Sequence, residues 1–131
     1  MAITRQKGIV VHTMSVSGVD AAATGATSVG TTENNGMTFF PRFARIRCNA
    51  ATSITLPASI SIGTNATSYN DILGITALTG VLSAGQYLLL PIASTVGTSV
   101  APNTQIFVNV TTGATGTSQT FGVAVVGDCE A

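Results

Sequence analysis

Between Thr52 and Ile62 the chain alternates residue by residue: Ile54, Leu56, Ala58, Ile60 and Ile62 fall on one parity, Ser53, Thr55, Pro57, Ser59 and Ser61 on the other. Successive side chains of an extended strand point to opposite faces, so this pattern gives one apolar and one polar face, which a period of 3.6 would scramble. Pro57 has no N–H to give to a ladder and marks an edge or a bulge. The same period recurs along the chain. Phe40, Ala44, Ile46 and Cys48 alternate with Phe43, Arg45 and Arg47; Leu88, Leu90 and Ile92 share a face; Ile106, Val108 and Val110 alternate with Phe107, Asn109 and Thr111; Phe121, Val123 and Val125 oppose Gly122 and Ala124. A further strand is expected from Gly8 to about Val16. With no amphipathic helix to cover a parallel sheet, the strands must pair antiparallel. The prediction is an all-β single domain, an antiparallel β-sandwich or jelly-roll-like fold with a long N-terminal loop or arm.

The chain has 131 residues, enough for one core and too few for two domains of ordinary size. Residues 1–38 read as an N-terminal strand and an extended arm or loop of the same domain, and residues 39–131 as the sandwich core. The arm is placed at Ser17 to Gly36, where small residues replace large apolar ones. A short helical turn is expected from Ser68, which could cap it, with Asp71 near the positive end of its dipole.

Only 8% of residues are charged, against about 25% in an ordinary soluble domain, so Thr, Ser, Asn and Gly supply the polarity. Five Lys and Arg balance five Asp and Glu. No net field gathers phosphates, which argues against nucleic acid, and weak repulsion between copies favours an assembled protein, a homo-oligomer. No apolar run reaches the roughly 18 residues of a membrane span. The basic start is followed only by Ile9, Val10 and Val11 before His12, too short for a signal-peptide core, which predicts synthesis in a cytoplasm. Cys48 and Cys129, if paired, would close a loop of roughly eighty residues worth about 4 kcal/mol; a reducing compartment favours two free buried thiols instead.

No constellation for chemistry emerges, and the chain is read as no enzyme. His12 is the one histidine and no Gly-x-Ser-x-Gly elbow surrounds any serine, so His12 reads as a strand residue on a solvated or contact face. Of the acids Asp20, Glu33, Asp71, Asp128 and Glu130, two lie in the last four residues, a poor disposition for the paired carboxylates of glycoside hydrolysis. Two Cys and one His at unrelated spacings match no metal pattern. The Asn-containing stretches Thr32–Gly36 and Thr64–Thr67 offer oxygen ligands for calcium, yet turn chemistry accounts for them with fewer assumptions. Gly113-Ala-Thr-Gly116 lacks the lysine and helix of a phosphate loop and reads as a hairpin turn. No cofactor and no metal are expected.

Charge concentrates at Arg42, Arg45 and Arg47. Arg45 and Arg47 share a strand face with Phe43 and form a candidate docking stripe, on which guanidinium forks meet an acidic or carbonyl-rich protein surface; an ordinary solvated sheet face is the competing reading.

Taken together, Ala44-Arg-Ile-Arg-Cys48, the strand ending in Ile62-Gly-Thr-Asn65, Tyr69-Asn-Asp-Ile72, Gly85-Gln-Tyr87, Ile106-Phe-Val-Asn-Val-Thr111 and Val123-Ala-Val-Val-Gly127 give the chain a texture that resembles small virion proteins of tailed bacteriophages, among them head decoration (cement) proteins and β-sandwich modules of fibres. The resemblance runs from Phe43 to Gly127. It implies a protein of the virion, made in the host cytoplasm, that sits on the capsid surface as a trimer, sometimes a dimer, and clamps the major capsid protein without touching nucleic acid or membrane. Contacts are then expected at Ile3, Arg5 and Lys7 in the N-terminal segment and at Phe43, Arg45 and Arg47. The alternative is a receptor- or carbohydrate-binding module of a fibre or tail; the absence of Trp, with only Tyr69 and Tyr87 as tyrosines, counts against it.

Overall fold

The first strand lies beside the last. Val10–Asp20 (β1) pairs antiparallel with Ser118–Glu130 (β8), Gly25–Thr31 (β2) with Gln105–Thr112 (β7), Thr38–Thr52 (β3) with Tyr87–Pro91 (β6), and Ser59–Gly63 (β4) with Leu73–Ala77 (β5). β8 also pairs with β3 and β7 with β4, giving two four-stranded sheets in the orders β1-β8-β3-β6 and β2-β7-β4-β5. The computed structural model describes residues 10–33, 36–52, 57–78, 83–92, 99–115 and 118–130, and among them there is no helix. The expected antiparallel sandwich is therefore the fold.

Its core forms where the inward parities of the two sheets meet. Ile46 from β3 and Phe121 and Val123 from β8 face Ile60 and Ile62 from β4 and Ile106 and Val108 from β7, all of them buried. Burial of each such side chain contributes about 1.5–3 kcal/mol. Ala44, Cys48, Leu90, Ile92, Val110 and Val125 complete the inward sets that alternation predicts. Ile54 and Leu56 lie outside the described residues. Cys48 and Cys129 are buried free thiols, and Cys48 Sγ accepts a hydrogen bond from Gln119 Nε2 at 3.7 Å.

Bulges account for the departures from the sequence reading. The register of β3 against β8 runs from Phe39↔Cys129 to Pro41↔Gly127, skips Arg42, and resumes at Phe43↔Val126. One extra residue inverts the facing of everything before it. The inward aromatic is thus Phe39, fully buried, and not Phe40, which is half-buried. A second bulge, between Val16 and Val19 of β1, is turned by Gly18, whose φ of 75° favours a residue without Cβ. The expected arm at Ser17–Gly36 is likewise corrected: it supplies the end of β1 and all of β2, and Val19, Ala21 and Val29 are buried in the core. Its small residues mark bulged strands, a composition that imitates a loop.

Ser68 starts no helix. Residues 64–71 form a polar turn in which Asp71 Oδ1 accepts from Thr64 N–H at 2.6 Å and Asn65 N–H at 3.3 Å, while Thr64 Oγ1 donates to Asp71 Oδ2 at 2.6 Å. Asn65 Oδ1 accepts Asn70 N–H at 2.9 Å. Partial burial works against the Asp71 carboxylate, but the hydrogen bonds from the Thr64 hydroxyl and from the Thr64 and Asn65 backbone outweigh it and hold its pKa below the ordinary 3.8. A depressed folded-state pKa gives stability that is present above pH 3.8 and is lost as pH falls through the folded value. Asp71→Asn is therefore expected to melt slightly below wild type at neutral pH, by about 1 kcal/mol or less in a solvent-screened turn. Melts across pH should show the gap closing in acid.

Candidate docking face

The two sheets present very different outer faces. Over the β2-β7-β4-β5 sheet the 64–71 turn folds back: Ser61, on the parity expected to be wet, is fully buried and its Oγ donates to the Ser68 carbonyl at 3.2 Å, and the Tyr69 ring meets Phe107 at 5.0 Å between centroids. Nothing comparable covers the other sheet among the described residues.

On that sheet the register fixes the neighbours. Phe43 stands between Val126 of β8 and Pro91 of β6, Arg45 between Ala124 and Leu89, and Arg47 between Gly122 and Tyr87. Between the Arg42 bulge and the next one after Cys48, β3 keeps strict alternation, so these three predicted residues do share the outward face; Phe43 is half-buried and both arginines are exposed. Tyr87 and Leu89 are 62% and 54% exposed, unusual for side chains of their size. Beyond β8, Ser15 of β1 pairs with Ala124, Thr13 with Val126, and Val11 with Asp128. The arginines form a ridge between two depressions. One of about 240 Å³ is floored by Gly122 and Ala124 and edged by Ser15, Ser17 and Asn49. The other, about 640 Å³, is bounded by Phe43, Gly85, Tyr87 and Leu89.

Charge sorts the arginines. Arg42, displaced by the bulge, pairs with Asp128. Arg45 and Arg47 meet no carboxylate among the described residues. An exposed strip of large apolar side chains next to two unpaired guanidiniums is suited to contact with a second macromolecule.

Ile3, Arg5 and Lys7 lie outside the described residues. Missing from the sequence-predicted set are Tyr87 and Leu89. Placing Leu88, Leu90 and Ile92 inward puts Tyr87 and Leu89 outward, but that β6 lies beside β3 is a pairing across forty residues that periodicity does not report.

His12 departs from its expected solvated or contact face: it shares the inward parity of Met14, is half-buried, packs edge-on to Phe39 with ring centroids 5.8 Å apart, and has Nδ1 3.6 Å from Glu33 Oε1. Burial pushes the Cys129 thiol upward, and the Glu33 and Asp128 carboxylates push the same way. Such a thiol is held protonated, the opposite of a nucleophile.

Nested pairing of eight antiparallel strands, first with last inward to fourth with fifth, defines a jelly roll, an architecture found in viral capsid and lectin domains. In particular, the chain shares its fold with a chain of the Cyanophage Pam1 capsid asymmetric unit, with a TM-score of 0.58 and 18% identity over 98% of this chain and 91% of that one. It also matches a chain of the capsid of Ralstonia phage GP4, with a TM-score of 0.63 and 13% identity over 100% of this chain and 91% of that one. No protein-family model and no curated protein matches the sequence.

Proposed function

We propose that the chain is a structural protein of a phage virion that binds the outer surface of the capsid and reinforces it by multivalent contacts with the major capsid protein, as a homo-oligomer with three copies favoured, and without catalysis. The observation that supports this reading is the end-to-end match of the whole roll to chains from two phage capsids. Because a fold alone does not carry a function, a second support is the outer sheet face that is left uncovered among the described residues, where Phe43, Arg45 and Arg47 are joined by Tyr87 and Leu89. A shell repeats each site many times, so modest contacts at every copy sum to a firm coat.

Mixing the purified protein with undecorated shells and imaging them by electron microscopy tests the proposal. Ordered density at fixed lattice positions is the expected result; bare shells would overturn it. Ile3, Arg5 and Lys7 are proposed as additional contacts, so deleting residues 1–7 should lower occupancy while the melting temperature stays where it was. Unchanged occupancy would remove the N-terminal segment from the interface.

A further inference from the structure

The uncovered face has a directional character that says what it receives. Arg45 and Arg47 lie two residues apart on one strand face, so their Cα atoms are about 6.6 Å apart, the distance at which same-side residues repeat in any extended peptide. Each has a large apolar neighbour on the β6 side, Leu89 and Tyr87, and almost none on the β8 side, Ala124 and Gly122. Neither meets a carboxylate among the described residues.

We propose that the shelf formed by β3 and β6 binds an extended acidic segment of a partner polypeptide, in which carboxylates at alternate positions engage Arg45 and Arg47 and an apolar side chain rests on Leu89 and Tyr87. This deepens the capsid-binding reading and rests on it for the partner's location. Guanidinium forks match planar carboxylates in paired hydrogen bonds, and the adjoining apolar strip shields them from water on one side.

Charge excludes the nearest rivals. A second copy laid face to face would bring four guanidiniums together, and the chain has few acids to answer them. Asp128 is taken by Arg42, Asp71 by its turn, Glu33 stands by His12, and Asp20 accepts the Ala22 N–H at 2.9 Å, so of the five acids Glu130, at the end of β8, is left as one carboxylate per copy against two guanidiniums. Nucleic acid would meet two arginines on a chain whose formal net charge is zero, too little to hold a phosphate backbone.

The test uses the full chain and a fluorescent peptide in which glutamate alternates with valine, followed by anisotropy at low and at about 0.5 M salt, where screening reaches only a few ångströms. Wild type should bind it, the glutamine version should bind at least about tenfold more weakly, and high salt should weaken the complex. The Arg45→Glu/Arg47→Glu variant should lose binding while melting like wild type, since both side chains are exposed. Leu89→Ser, on the neighbouring strand, should weaken binding with less dependence on salt. No binding by wild type, equal binding by the charge-reversed variant, or tighter binding of single-stranded oligothymidylate than of the acidic peptide would each overturn the proposal. The same variants are then mixed with undecorated shells. Peptide binding without shell binding would leave the shelf assigned and remove the capsid; shell binding unaffected by charge reversal would keep the capsid and remove the shelf.

Discussion

Phe39→Ala is expected to cost about 3–5 kcal/mol, whereas Phe40→Ala next to it should cost about 1 kcal/mol. Phe39 is fully buried, opposite Cys129 in the β3–β8 register, and its backbone exchanges hydrogen bonds with Val100 in both directions, 2.9 Å from Phe39 N–H and 2.8 Å to its carbonyl. Removing its ring opens a cavity beneath His12, whose imidazole packs against it. Phe40 is half-buried on the opposite parity. Urea denaturation of the two purified variants measures the difference. Equal losses would mean that the Arg42 bulge is misplaced, because without it the two rings exchange faces.

Gly127→Ala should be the most damaging replacement of a glycine by a single methyl group in β8. A Cβ there would lie 2.2 Å from the Phe40 carbonyl oxygen and 2.8 Å from Pro41 Cα, both backbone atoms of the bulged strand, which cannot swing aside as a side chain can. Overpacking of this kind costs about 3 kcal/mol or more, enough to lower the melting temperature by roughly 10 °C in a domain of this size. Gly122→Ala is the control. Five residues earlier on the same strand, its Cβ would come no closer than 3.5 Å to Asn49 Nδ2, an ordinary contact, so thermal melts should place it close to wild type. Similar losses for both would argue against a clash specific to the bulge.

Both expectations turn on the bulge, and so does much of what the sequence conceals. Alternation reveals that Ile60 and Ile62 face inward, as do Ile106 and Val108 and also Phe121 and Val123, because the bulges beside them put the extra residue in the partner strand, β5, β2 or β1, and leave each set's own alternation unbroken. It misplaces Phe40 because an inserted residue resets parity without leaving a mark in composition. It takes Ser17–Gly36 for an arm because Gly and small hydroxyl residues serve bulged strands as well as loops. The capping signal at Ser68 is a real signal for a different structure: Asp71 does collect backbone N–H groups, from Thr64 and Asn65 behind it, to close a turn. At the docking face, Phe43, Arg45 and Arg47 are legible because they share one strand. Tyr87 and Leu89 are not, since their place beside the arginines is a tertiary fact.

The nested order of the strands also governs how the chain reaches this state. Of its paired neighbours only β4 and β5 are close in sequence; β1 must find β8, with more than half the chain between them. Folding dominated by such distant pairings runs in milliseconds to seconds rather than microseconds. Until β8 arrives, β1 and β3 each lack the partner that later lies between them. The protein is thus exposed to wrong strand partners, including other copies of itself, for longest at the sheet that carries the docking face, where the outward-facing Val11, Tyr87 and Leu89 add apolar surface that such encounters can bury.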